Sequence, residues 1–164
     1  MEKPINPIRP TTVGILSDTH GLIRPEVEQL LANCDRILHA GDVGDPLVLD
    51  RLQQIAPLVA VRGNMDYGSW SSSLPVTEML EIGGLFFYLL HDLYQLDLEP
   101  AAAGIHVVVS GHTHRAAIHR EDGVIYLNPG SAGHRRLNYP LSIARVVIEN
   151  GIARPQIVEV DVRG

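Results

Sequence analysis

Seven side chains in this 164-residue sequence belong to types that bind transition metals, and they fall in a regular order. They are Asp18 and His20, then Asp42, Asn64, His91, and finally His112 and His114. Each group directly follows a run of aliphatic residues. Taken singly the pieces say little. An Asp-x-His pair is common, Gly-Asp after a strand is most often a turn, and one strand-end histidine is usually just hydrogen-bonded. Five such arrests in succession are hard to produce by chance. A cluster of carboxylates and imidazoles without thiolates suits manganese, iron, zinc or nickel better than calcium or magnesium, and we expect two divalent ions with manganese foremost.

The chemistry such a cluster supports is phosphoester hydrolysis. Two cations roughly 3.5–4 Å apart clamp phosphoryl oxygens and stabilise both attacking and leaving groups, and a metal can lower the pKa of bound water from about 15.7 to about 7. Two divalent ions bring four positive charges, against three from Asp18, Asp42 and a bridging hydroxide. The surplus draws in an anionic substrate. A neutral amide at Asn64 preserves that surplus, whereas a carboxylate there would cancel it.

The elements that must position these residues alternate first and then become mostly strands. Val13 to Leu16, Arg36 to Ala40 and Leu58 to Val61 read as strands. Between them, Pro25 opens one helix carrying Val27, Leu30 and Leu31, and Leu47 to Ile55 forms a second. This βαβαβ order implies a parallel sheet with right-handed crossovers. Beyond Trp70, the runs Val76–Ile82 and Leu85–His91 flank Gly83-Gly84, and Ile143–Ile148 and Ile152–Val160 flank Asn150-Gly151; both dipeptides are hairpin signals. Ile105 to Ser110, Ala116 to His119 and Val124 to Leu127 supply further strands, the last two bracketing a turn at Glu121-Asp122-Gly123. The stretch from Tyr67 to Ser73 reads as a loop. The expected architecture is α/β, two stacked sheets with helices outside. Ligands then gather at the carboxyl ends of strands, where loops converge on a crevice. Within Asp18-Thr19-His20 and His112-Thr113-His114, an extended backbone would turn both ligands of each pair the same way. Glycines 41, 63 and 111 leave room where backbone must pass close to the cluster.

Length and composition fit one domain over residues 1–164, with residues 1–11 as an extended or poorly ordered leader. Acidic residues outnumber basic ones 19 to 13, for a net charge of −6, which argues against a broad nucleic-acid-binding face. The single cysteine, Cys34, and the absence of an apolar leader or spanning segment point to a cytoplasmic protein without disulfides or a membrane anchor. The expected partner is a small phosphorylated substrate, with no stable nucleic-acid complex; self-association is left open.

The series Asp18-x-His20, Gly41-Asp42, Gly63-Asn64, His91, Gly111-His112-x-His114 resembles the calcineurin-like metallophosphoesterase superfamily. The short length, Asn128-Pro129-Gly130-Ser131, and Gly63-Asn64-Met65-Asp66 are similar to the small YfcE-type phosphodiesterases. The resemblance runs from Thr12 to about Val160. It implies a four-layer αββα sandwich of two mixed sheets. It also implies that Asp18, His20, Asp42 and His114 hold one metal and Asp42, Asn64, His91 and His112 the other, with Asp42 shared. Asp42, Asn64 and His112 would be catalytic, together with a metal-bridging hydroxide. Met65 departs from the wider superfamily, where a histidine assisting the leaving oxygen often follows the asparagine. General acid help, worth typically 10²–10⁴-fold, must then come from elsewhere or be absent.

The remaining residues carry weaker expectations. Asp66 is either an orienting group or a turn carboxylate, and His39 is a core or supporting residue rather than a ligand. His106 and His119 receive no role. Asn64, Arg135 and Arg136 are the candidate substrate contacts, the arginines through bidentate pairing with phosphate. The expected activity is phosphodiester hydrolysis of a small or nucleotide-like molecule. Phosphomonoester hydrolysis with the same metals and a non-catalytic metal-binding scaffold are the alternatives.

Overall fold

A computed structural model describes residues 9–136 and 138–162. Strands β1 (Thr11–Leu16), β2 (Arg36–His39) and β3 (Leu58–Ala60) run parallel, joined by helices α1 (Pro25–Leu31) and α2 (Pro46–Gln53). Both helices begin with proline at a first-turn position where a missing N–H costs nothing. Asp45 caps α2 by accepting the Leu47 N–H.

Strands β4 (Thr77–Ile82) and β5 (Leu85–Leu90) form a hairpin, followed by β6 (Val107–Val109), β7 (Ala117–Glu121), β8 (Val124–Asn128), β9 (Ser142–Glu149) and β10 (Ile152–Glu159). The last two strands return to the first sheet, whose order is β10-β9-β1-β2-β3; the second sheet has the order β4-β5-β6-β8-β7. Both are mixed. The sheet expected to be parallel therefore gains an antiparallel pair, β9 and β10, on the β1 edge. Three two-residue turns close the hairpins: Gly83-Gly84, Asp122-Gly123 and Asn150-Gly151. All six residues have positive φ, as a type I′ turn requires.

The alternation of side chains across each strand explains the layering. Val13 and Ile15 of β1, Phe87 and Leu89 of β5, and Val107 and Val109 of β6 fill the space between the sheets. Leu16 and Ile37 face the other way, onto Val27 and Leu31 of α1 and Val48 and Leu52 of α2. The close fit of α1 against β1 needs Gly14, since a Cβ there would lie 2.4 Å from the Leu31 side chain and 2.8 Å from the Cys34 sulfur. On the outer face of the second sheet, Tyr88, Leu90 and Val108 are covered by Leu96 and Leu98. That fourth layer differs from the expectation of helices on both outer faces. Among the described residues it is a chain segment with the 3-10 turn Leu93–Gln95 and a short hydrogen-bonded turn in which the Ala103 N–H donates to Glu99 O and the Ile105 N–H to Pro100 O. The sequence there, with Asp92, Asp97 and Pro100 spaced between short apolar pairs, lacks the length to sustain an α-helix.

The expected leader falls largely on residues 1–8, which lie outside the described residues; β1 already begins at Thr11. Among the described residues, no helix is long and apolar enough to cross a membrane.

Candidate metal centre

The loops leaving β1, β2 and β3 and those leaving β5 and β6 meet at one end of the two sheets. They bring all seven of the expected ligand residues together. Asp18 Oδ1 lies 3.2 Å from His114 Nε2, 3.7 Å from His20 Nε2 and 3.9 Å from His91 Nε2. Asp42 Oδ2 lies 3.2 Å from His91 Nε2 and 3.8 Å from His20 Nε2. His112 joins through its backbone N–H, which donates to Asp18 Oδ2 at 3.1 Å, and its Nδ1 stands 3.2 Å from Asn64 Oδ1. Asp18, Asp42, His91 and His114 are buried, while Asn64 and His112 form a solvent-facing rim.

The ligand loops are not extended. Asp18, His20, Asp42, His112 and His114 all have positive φ, between 47° and 72°. The expectation that residues two apart point together because the backbone stays extended is therefore replaced by a different device, a left-handed residue at five of the seven positions, Asn64 and His91 being the exceptions. Among the described residues, the only other non-glycines with positive φ are the hairpin residues Asp122 and Asn150. Such conformations cost of order 1–3 kcal/mol each and persist only where surroundings over-determine them.

The surroundings do so. Backbone hydrogen bonds continue past the strand ends, from the Asp18 N–H to Gly41 O, from the His20 N–H to Asp42 O and from the Gly111 N–H to His91 O. His39 is fully buried and accepts the Gly41 N–H on Nδ1 at 3.1 Å. Its Nε2 must then carry the proton, donating to Thr19 Oγ1 at 3.0 Å, which in turn donates to Val43 O. One neutral imidazole thus ties the Asp18/His20 loop to the Asp42 loop. Asp66, buried, accepts the Gly44 N–H on one oxygen and the Gly63 N–H on the other, tying the Asp42 loop to the Asn64 loop. It is an orienting group, not an exposed turn carboxylate. Asn128 Nδ2 donates to Gly111 O and Thr113 Oγ1 around His112. Ser131 and Ala132 hold the 17–18 backbone. Of these, Ser17 and Thr19 went unassigned by sequence reasoning, because a hydroxyl beside a ligand carries no distinguishing pattern. The glycines act as expected: a Cβ at Gly63 would lie 2.1 Å from Asp42 Oδ1, and one at Gly111 2.0 Å from Ser17 Oγ.

The hydrogen-bond accounting tests whether the site fits metal ions. Asp18, Asp42 and His91 each have one side committed to the protein and one side turned inward, whereas His114 Nδ1 is itself buried without a partner. Asp18 Oδ2 accepts from Ser17 and from the His112 N–H, leaving Oδ1 free. Asp42 Oδ1 accepts the Met65 N–H at 2.8 Å, leaving Oδ2. His91 Nδ1 donates to Ala40 O at 2.7 Å, which fixes the tautomer with a lone pair on Nε2. Asp18 Oδ1, His20 Nε2 and His91 Nε2 are buried without a hydrogen-bond partner. Buried polar atoms without partners are rare and costly, and three converging on one point are what a cation site requires. Two groups have ligand atoms all within 4.8 Å of one another, Asp18-His20-His114 and Asp18-Asp42-His91. Asp18 belongs to both groups, and Asp42 reaches a histidine of each.

The electrostatics agree. Burial opposes ionisation of Asp18, but His114, His20 and Ser17 outweigh it and hold its carboxyl far below the usual range. Burial likewise opposes, and His91 and the Met65 N–H outweigh, for Asp42, which is also lowered. The Asp18 carboxylate raises His20, while the charge of Arg136 works the other way. Arg136 is therefore within electrostatic reach of the cluster. Arg135 and Arg136 are both exposed on the loop after Ser131. His106 and His119 lie away from the cluster, His106 accepting the Phe86 N–H and His119 close to Glu121.

Three cavities border the cluster. One, of about 470 Å³, is lined by Asn64, His91, Arg62 and Asp97. A second, of about 410 Å³, is lined by His114, Arg115 and Tyr139. The third, of about 520 Å³, starts at Gly111 and Thr113 and runs over the outer face of β7 and β8. Asp92, directly after His91, lines the first and the third.

Known proteins resemble this chain in sequence and fold. Residues 12–151 match the model of the calcineurin-like phosphoesterase superfamily domain. A probable metallophosphoesterase of Methanocaldococcus jannaschii is 38% identical over 132 residues, covering 73% of this chain and 67% of that protein. A phosphodiesterase of the same organism is 28% identical over 137 residues, covering 72% and 82%. The fold matches the solved structure of an archaeal phosphodiesterase with a TM-score of 0.75 at 24% identity, over 90% of this chain and all of that one. It also matches YfcE, a phosphoesterase from E. coli, with a TM-score of 0.67 at 21% identity over 92% of this chain. With the motif order, the sheet topology and the family model in agreement over most of its length, this chain belongs to the calcineurin-like phosphoesterase superfamily.

Proposed function

We propose that this protein is a phosphodiesterase for small, nucleotide-like substrates, working with two divalent transition metals at the cluster described above. The observation that carries the reading is the convergence of Asp18 Oδ1, His20 Nε2 and His91 Nε2, all buried and unpartnered, beside the inward-facing Asp42 Oδ2. Asp18, His20, Asp42 and His114 would hold one ion. Asp42, Asn64, His91 and His112 would hold the other, Asp42 being shared. Bound divalent metals supply Lewis acidity for phosphoryl oxygens and a hydroxide nucleophile at neutral pH. The residues of the chain do the rest. Ser17, Met65 and Ala40 fix the orientation of Asp18, Asp42 and His91. Asn64 and His112 at the rim are the first side chains an incoming phosphate meets, and Arg135 and Arg136 lie on the neighbouring loop to pair with its oxygens.

Met65, half-exposed next to Asn64, offers no proton to a leaving group, so the substrate has a leaving group that needs little help or one protonated from elsewhere. One feature favours a diester, which carries two substituents: more than one cavity borders the centre. The 28% identical relative named a phosphodiesterase is in keeping with this.

The test is to purify the protein, measure bound metals, and compare bis(4-nitrophenyl) phosphate with 4-nitrophenyl phosphate in the presence of manganese, nickel, zinc or iron. We expect two metals per chain, loss of activity with chelators, and preference for the diester. A clear monoester preference would overturn the diester assignment. Turnover of neither compound with any of the metals would overturn hydrolysis and favour a metal-binding scaffold.

A further inference from the structure

The 520 Å³ cavity has a chemistry that the metal centre does not account for. Its floor is aromatic. Tyr126 of β8 and His119 of β7 are register partners on the outer face of the second sheet, their ring centroids 5.9 Å apart. Its wall is Tyr94, on the 3-10 turn that begins two residues after His91. Tyr94 is 93% exposed and Leu93 before it 41%. Neither side chain supports the core, so two large apolar groups are held in solvent at the edge of the reaction centre. Exposed apolar groups clustered at a concave site mark ligand contact. The mouth is Thr113, between the rim ligand His112 and the buried ligand His114. Asp92, Glu121 and Arg115 also line the cavity, the Arg115 guanidinium lying over the Tyr139 ring, 4.9 Å from its centroid, so that the acidic groups outnumber the basic one. The two carboxylates repel a second phosphate and can accept hydrogen bonds from ring N–H groups.

Resting on the phosphodiesterase reading above, we propose that this cavity is the subsite for one ester substituent of the substrate, a nucleoside whose base stacks between Tyr94 and Tyr126. The volume exceeds what a single phenyl ring fills and lies in the range of small-molecule pockets. The acidic lining selects an uncharged heterocycle bearing donors.

Two chromogenic diesters that release the same leaving group isolate the subsite: the 4-nitrophenyl ester of thymidine 5′-phosphate and methyl 4-nitrophenyl phosphate. The protein loaded with manganese should show a higher kcat/KM for the thymidine ester. Tyr94→Ala removes an exposed side chain, and Ala117→Leu fills the cavity from the edge strand β7; neither touches the ligand cluster. Each should reduce kcat/KM for the thymidine ester about tenfold, the size of one lost stacking contact, and leave the methyl ester unchanged. Equal losses on both esters, or no loss on either, would overturn the subsite. Calorimetric binding of thymidine 5′-phosphate, compared between the unsubstituted protein and Tyr94→Ala, reads the subsite without turnover. About tenfold weaker binding in the variant supports it, and equal binding overturns it. If neither ester turns over, the reaction reading fails, and this binding experiment still decides the subsite.

Discussion

The two sheets contribute to one site in different ways. The first sheet sends three loops from its parallel strands, and these are cross-tied by buried polar side chains. His39 joins the loops of Asp18 and Asp42, and Asp66 joins those of Asp42 and Asn64. Two helices cover its outer face. The second sheet sends His91, His112 and His114 on loops held by Asn128 and by backbone contacts, and its outer face is left to a 3-10 turn and an open aromatic cavity. One half is built to be stiff, the other to be reached. A ligand cluster with five left-handed residues needs the stiff half to hold its geometry.

The largest effect expected from breaking this division is at Asp42, the carboxylate proposed above to be shared between the two metals. Asp42→Asn should lower occupancy of both metals and reduce activity by more than the roughly 100-fold that outer-shell partners cost. His112→Ala, on the reachable half, should mainly weaken one. Metal analysis decides it, since unchanged stoichiometry in Asp42→Asn would contradict sharing.

Next come the ties. His39→Phe keeps the volume but removes both hydrogen bonds, and should weaken metal affinity by about 10–100-fold. Asn128→Ala, which releases the loop around His112 and the Gly130 N–H, should cost less. Competition with a chelator ranks them, and the reverse order would remove the distinction between the halves.

Acid stability probes the same residue. Burial holds His39 down to about 4, so the folded state keeps it neutral where the unfolded chain would protonate it. Its contribution to stability is full above the unfolded value near 6.5 and is lost as pH falls toward 4, by up to about 3 kcal/mol. His20 and His91 act in the opposite sense, being raised mainly by the neighbouring carboxylates against burial, and lose their contribution as pH rises through their folded values. Comparing metal-free wild type with His39→Phe by denaturant titration separates them. The deficit of the variant should shrink between pH 6.5 and 4. A deficit independent of pH would mean that His39 is not buried in its neutral form.

The smallest effect should come from the second sheet's free surface. Met79→Ala on the exposed part of β4 should change stability by no more than about 0.5 kcal/mol, in contrast with Gly14→Ala, where overpacking against Leu31 and Cys34 should cost about 1–3 kcal/mol. Thermal melts of the two variants check the contrast.

Much of this molecule was legible in its residues. Aliphatic runs stopping at Asp18, Asp42, Asn64, His91 and His112 marked strands with ligands at their ends, because a buried strand must be apolar and its loop need not be. Gly83-Gly84 and Asn150-Gly151 marked hairpins and Glu121-Asp122-Gly123 a turn, because few residues tolerate positive φ twice in succession. What required the tertiary structure was everything set by contact between distant segments. The composition of His39 or Asp66 says nothing about which loops it ties. The left-handed conformation at Asp18, His20, Asp42, His112 and His114 goes with hydrogen bonds reaching across strands, and local pattern favoured an extended chain instead. The outer layer of the second sheet, and the aromatic cavity it leaves open beside Thr113, follow from how residues 92–104 lie on strands remote in sequence. Local periodicity carries the energy of single elements, whereas position across a sheet is decided only once every backbone group has found its partner.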